Sequence, residues 1–262
     1  MNFSELIESG RDAGPNILAF DIPADWMQGR TTYGGLTAAL CLRASLALAE
    51  DKPVRSAQIA FVGPVSGTVT CEATLLREGK NSAFIHVRVT GETGIAADAL
   101  LAFGKARDSS LNFSRVPAPD VTVPAETPDF FNTGFNRPNF TRQFEMRLAN
   151  GMRPLSGAED PEVVLWMKHK DDALKPDAVS VLALADAPPP AAMSMLNKPA
   201  PISSMTWMAE FLTDSFATED GWFLAHHIAE QARDGYSSQA MTLWNHAGTP
   251  VMIGRQTVTI FA

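Results

Sequence analysis

The chain has 262 residues, 45% of them hydrophobic and 19% charged, the composition of a folded protein with one large or two smaller cores. A formal net charge of −8 and the lack of any Lys or Arg run argue against a nucleic-acid partner, because phosphate binding needs a basic face. Cys41 and Cys71, the only cysteines, have no metal-type spacing and suggest a reducing compartment. The start carries Glu5 and Glu8 in place of an apolar signal core, and the apolar runs are broken short of a membrane span. A cytoplasmic protein is expected.

In chain order, residues 30–50 read as a long helix with Arg43 its only internal charge. A helix apolar on nearly every side must be wrapped by other structure. Strands are expected at Arg55 to Val62, Thr68 to Leu76, Ala83 to Thr90 and Gly94 to Gly104, separated by turn chemistry rich in Gly, Pro and Asn. Pro117, Pro119, Pro124, Pro128 and Pro138 then interrupt any helix or ladder, so 114–139 reads as a linker between a domain at 1–113 and another at 140–262. Past the linker the pattern restarts. Strands are expected at Arg142 to Leu148 and Glu162 to His169, a helical segment at Val179 to Leu196, and strands at Pro201 to Phe211, Trp222 to Gln231, Ser238 to His246 and Pro250 to Phe261. A buried helix followed by an antiparallel meander, twice over, is an α+β pattern.

The halves match in detail as well as in order. Arg77 to Ser82 corresponds to Arg233 to Ser238, 156 residues later, and Thr93 falls on Thr249 at the same offset. An internal repeat is expected.

Several segments, in their order and spacing, resemble the acyl-CoA thioesterase II type of double hot-dog protein. They are Tyr33-Gly-Gly-Leu-Thr-Ala-Ala-Leu40, Phe61-Val-Gly-Pro64, Leu75 to Ser82, Phe144-Glu-Met-Arg147, Leu165-Trp-Met-Lys168, Leu184-Ala-Asp186 and Val251 to Gln256. The resemblance covers nearly the whole chain. It implies a tandem hot-dog, two antiparallel sheets each wrapped around a long helix. It also implies hydrolysis of acyl-CoA to free acid and CoA, a place in fatty-acid metabolism, and no metal or bound cofactor beyond the CoA of the substrate. The family's catalytic Asp, at the start of the second helix, falls on Asp186, and its Gln on Gln256. The hydroxyl falls on Ser204, with Thr206 two residues on and expected on the same side of the strand. By analogy with such sheets, which commonly extend across subunits, a homodimer or larger homo-oligomer is expected.

These residue types suit thioester hydrolysis by water. A carboxylate takes the water's proton, and an amide and a hydroxyl hold the water without titrating. Backbone N–H groups near Gly34 and Gly35, at a helix N-terminus, would receive the substrate carbonyl. Plainer readings stand beside these. Asp186 followed by Ala-Pro-Pro-Pro is also how a helix is capped and begun. Arg255 and Gln256 could sit on an exposed edge, Ser204 could be an ordinary strand residue, and Gly34-Gly35 could serve helix packing. At the repeat offset Gln256 falls on Leu100, so the first half lacks the amide, and nothing acidic opens its helix. His226-His227 on a strand would point to opposite faces, which argues against a shared metal. A hot-dog hydratase would need a His close to Asp186, and none is near in sequence. A protein that binds acyl-CoA or an acyl group without turnover remains the alternative from another class.

Overall fold

A computed structural model describes residues 1–131 and 137–262; residues 132–136 of the expected linker lie outside the described residues. The chain opens with helix α1 (Phe3–Glu8), whose Asn2 cap and Glu5 bond each other's backbone N–H groups in a capping box. Strands β1 (Arg11–Gly14), β2 (Ile17–Asp21), β3 (Met27–Gln28) and β4 (Thr31–Thr32) lead into the 16-residue helix α2 (Gly34–Ala49). Four strands follow: β5 (Val54–Phe61), β6 (Thr68–Glu78), β7 (Ser82–Gly91) and β8 (Gly94–Gly104). After the Pro-rich segment come β9 (Phe144–Gly151), β10 (Glu162–His169), helix α3 (Ala178–Ala185), and then β11 (Ile202–Phe211), β12 (Phe223–Arg233), β13 (Tyr236–Asn245) and β14 (Pro250–Ile260).

Twelve of these strands make one antiparallel sheet in the order β1-β2-β6-β7-β8-β5-β11-β14-β13-β12-β10-β9. Read outward from its middle, the order is the same in both directions, strand for strand, so the repeat seen in the sequence is a repeat of topology. This corrects the expectation of two sheets each wrapped around a long helix. Residues Ser56 to Ala60 of β5 pair with Thr206 to Glu210 of β11 and join the halves into one ladder. The inner face of the first half wraps α2, whose Leu36, Ala38, Leu40, Cys41 and Leu42 are fully buried. That burial explains why apolar residues surround this helix on all sides.

The second helix is also shorter than the expected Val179 to Leu196, ending after eight residues. Asp177 and Ser180 form the box that starts it, with the Ser180 N–H 2.8 Å from Asp177 Oδ1. Pro188, Pro189 and Pro190 have no N–H to continue an α-helical ladder, so the prolines stop α3 instead of starting it. A separate 3₁₀ turn, Ala191–Met195, follows them.

The one-register detail of the repeat also differs from the sequence offset. Leu75 and Ile85 correspond in pairing to Ala229 and Gln239, an offset of 154 in place of 156, and the bulges of these ladders fall at equivalent positions. The connection from Trp244 to Pro250 is one residue longer than that from Thr90 to Ile95, so β14 answers to β8 at an offset of 155. The residue of β8 that matches Gln256 in facing the core is therefore Leu101, fully buried, and Leu100 points to the other face. Leu101 pairs with Ile85, and Gln256 pairs with Gln239. An apolar pair in one half is an amide pair in the other.

The Pro-rich segment has no strand, yet it is packed. Val116, Ala118 and Val121 lie against Val164, Trp166, Trp222, Leu224 and Trp244 on the face of the sheet away from α2 and α3. The indole N–H groups of Trp244 and Trp166 donate to the Val116 and Thr122 carbonyls at 2.9 and 2.8 Å.

Candidate active site

Asp186 sits at the exit of α3, and its position is held by the helix end itself. Tyr33 Oη donates to the Ala183 carbonyl at 2.6 Å, and the Ala187 N–H returns to Leu184 O at 3.0 Å. A side chain from the other half thus satisfies a carbonyl that the helix leaves without a partner. The carboxylate projects away from its own helix toward the first turn of α2, where the Gly35 N–H favours its anion. The plain cap reading of Asp186 is corrected accordingly: it ends α3, and it faces the start of the helix in the other half of the chain. A carboxylate there is favoured by the N–H groups and the helix dipole.

β14 delivers Gln256 to the same point. Its Nε2 donates to Asp186 Oδ1 at 2.9 Å and to Ser204 Oγ, on the neighbouring β11, at 3.1 Å. Gln256 is 4% exposed, which removes the exposed-edge reading. Thr206 does not share the side of Ser204. A bulge between the two residues spends one position, so Thr206 faces outward and is exposed. Of the sequence-selected side chains, Asp186, Ser204 and Gln256 converge and Thr206 does not.

The glycines separate as well. Gly34 lines the cavity in front of Asp186, and a Cβ there would lie 2.8 Å from Asp186 Oδ2. Gly35 is not part of the lining. It lies under Tyr33, where a Cβ would come within 2.6 Å of the Ala183 carbonyl, so its role is close packing.

Burial pushes the Asp186 carboxyl up to about 7, against the Gln256 and Gly35 hydrogen bonds, which favour the anion. Burial likewise pushes His227 down to about 3. His226 and His227 do alternate across β12: His226 pairs with Glu162 at 3.0 Å on one face while His227 is buried on the other. No group of three or more His, Cys, Asp or Glu able to hold a metal occurs among the described residues.

The cavity measures about 940 Å³ and draws on both halves. Phe61, Val65, Phe130, Phe140, Leu155 and Met193 give it apolar wall, while Arg30, Arg137 and Arg153 bring positive charge to an otherwise acidic chain. Sequence reasoning had not singled out these arginines, nor Gln239. The one signal for Gln239 is an amide on the inward-facing register of a strand that continues with Met241 and Leu243.

A profile of the acyl-CoA thioesterase C-terminal domain matches residues 117–260, and one of the N-terminal domain matches residues 22–104. The chain belongs to the acyl-CoA thioesterase family. It is a thioester-hydrolysing enzyme. No curated protein matches it significantly. Among solved structures it is similar to a hot-dog-fold protein from Alicyclobacillus acidocaldarius (22% identity, TM-score 0.87, covering 100% of this chain and 99% of that one). An acyl-CoA thioesterase II from Mycobacterium marinum is 15% identical with TM-score 0.79 over 98% of each chain. A dehydratase domain from Pseudomonas fluorescens also shares the fold, at 13% identity and TM-score 0.56 over 92% of this chain and 93% of that one. Such likeness shows the hot-dog fold. Among the described residues that line this thioesterase's cavity, none is a histidine. No helix is long and apolar enough to cross a membrane among the described residues.

Proposed function

We propose that the enzyme cleaves acyl-CoA by direct attack of water, with Asp186 as general base and Ser204 and Gln256 orienting the water. The observation that carries this reading is the double donation of Gln256 Nε2 to Asp186 and Ser204. One amide ties a carboxylate and a hydroxyl, drawn from three separate elements, into a single cluster beside the cavity. A base whose pKa is about 7 is half ionised at neutral pH, close to the optimum for proton transfer.

In the reaction, Asp186 accepts a proton as the water oxygen bonds to the thioester carbon. The carbonyl oxygen becomes an oxyanion beside the backbone N–H of Gly34, at the positive end of α2. Collapse breaks the C–S bond, and the CoA thiolate leaves with the proton that Asp186 had taken from the water, which restores the carboxylate. This chemistry uses water and the chain's own groups, with no metal or bound cofactor. In this scheme residues 1–113 supply the helix N-terminus and residues 140–262 the carboxylate, hydroxyl and amide, with 114–139 between them. Arg30, Arg137 and Arg153 suit the phosphates of CoA, and the aromatic wall suits an acyl chain.

Thiol release from a series of acyl-CoAs tests the reading. Asp186→Asn should lower kcat by roughly 10²–10⁴-fold and leave KM within about threefold, with no burst of thiol in the wild type. A variant that turns over at the wild-type rate, or a wild type that binds acyl-CoA and releases no thiol, would remove the assignment.

A further inference from the structure

Gln239 lies directly across the β13–β14 ladder from Gln256, and both side chains are buried, at 1% and 4% exposure. The matching pair in the first half is Ile85 and Leu101, each fully buried. Two amides in a core position that aliphatic residues can fill are destabilising unless each is hydrogen-bonded. Here they are bonded in one direction. The Ala191 N–H donates to Gln239 Oε1 at 3.1 Å, and Gln239 Nε2 donates to Gln256 Oε1 at 2.6 Å. Gln256 Nε2 in turn donates to Asp186 and Ser204.

We infer that Gln239 is a positioning residue that fixes which end of the Gln256 amide faces the carboxylate. A primary amide can turn over and exchange its donor and acceptor ends. If Gln256 turned, its Oε1 would meet the Asp186 carboxylate, acceptor against acceptor. Gln239 prevents this because its own orientation is set by a backbone N–H, which cannot reverse. The Ala191 N–H belongs to the turn that follows Asp186 through three prolines, so the chain of bonds closes into a ring from that loop, through both glutamines, back to Asp186. Aligned amides also strengthen one another, so the last donor in the series favours the Asp186 anion.

This inference rests on the proposed roles of Asp186 and Gln256, and four variants separate the two. Gln239→Met removes both ends of the amide; Gln239→Glu keeps the acceptor for the Ala191 N–H and, when ionised, lacks the donor for Gln256. Gln239→Met should lower kcat about tenfold, keep KM within about twofold, and move the acid limb of the pH–rate profile upward, since Asp186 loses support for its anion, whereas Gln239→Glu should show the loss only where its carboxyl is ionised. In a Gln256→Met background, Gln239→Met should change kcat less than about twofold, because the group it acts through is gone. A folded Gln239→Met with wild-type kcat and pH profile, or equal losses in both backgrounds, overturns the positioning role. Wild-type activity in Gln256→Met alone would instead overturn the proposed function.

Discussion

A carboxylate taken out of water loses hydration that two hydrogen bonds replace only in part, and Asp186 carries this conflict, with its pKa pushed up to about 7. The rate should report it. Because the base must be ionised, kcat/KM should rise with pH up to about 7 and then level, and a flat profile from pH 5 to 8 would contradict the role. Stability should move the opposite way. The folded pKa lies above the ordinary carboxyl value of 3.8, so the native state keeps a proton that the unfolded chain releases, and this contribution is lost as pH rises through about 7. Asp186→Asn does not titrate, so its melting temperature relative to wild type should climb between pH 5 and pH 8. Asp186 and Gln256 were legible in the sequence through the thioesterase-like segments Leu184-Ala-Asp186 and Val251 to Gln256, since Asp186 by itself reads equally as a helix cap. Gln239 lies outside those segments, and hydrogen-bond direction between two amides is a property of three-dimensional register.

At the scale of elements, two local devices decide what faces the cavity. The bulge in β11 turns Ser204 in and Thr206 out, and simple period-two alternation cannot reveal it. Thr206→Val should therefore keep kcat within about twofold, while Ser204→Ala should lose about tenfold, the value of one hydrogen bond of roughly 1–1.5 kcal/mol. The reverse order would contradict the register. The second device is the meeting of α3's end with α2's start. A methyl at Gly34 would lie 2.8 Å from Asp186 Oδ2, and a displacement of about 1 Å can lower a rate roughly 10²-fold. Gly34→Ala should show that loss with little change in melting temperature. The strands β5 to β14 were legible from turn chemistry and alternation, whereas α1 and the short strands β1 to β4 went unread. The early stop of α3 was hidden because Asp-Ala-Pro-Pro-Pro serves equally to begin or end a helix, and the capping box at Asp177 and Ser180 went unread.

For the whole molecule, the central fact is one sheet closed across the β5–β11 seam, with a cavity between its halves. The sequence showed a repeat, but not that backbone bonds join the copies, because strand pairing between distant segments leaves no local pattern. A continuous ladder should unfold as a unit, so calorimetry should give one transition that coincides with loss of activity; two separated transitions would contradict a shared core. The same seam lets the start of α2 in one half and Asp186, Ser204 and Gln256 of the other face a single cavity. Groups that act on one water as a unit lose their joint effect once any member is removed. The most direct test is kcat for Asp186→Asn, Gln256→Met and the double variant, measured by thiol release. The double variant should be no slower than Asp186→Asn within about threefold; losses that multiply would show that carboxylate and amide act independently, and would contradict the single-cluster account.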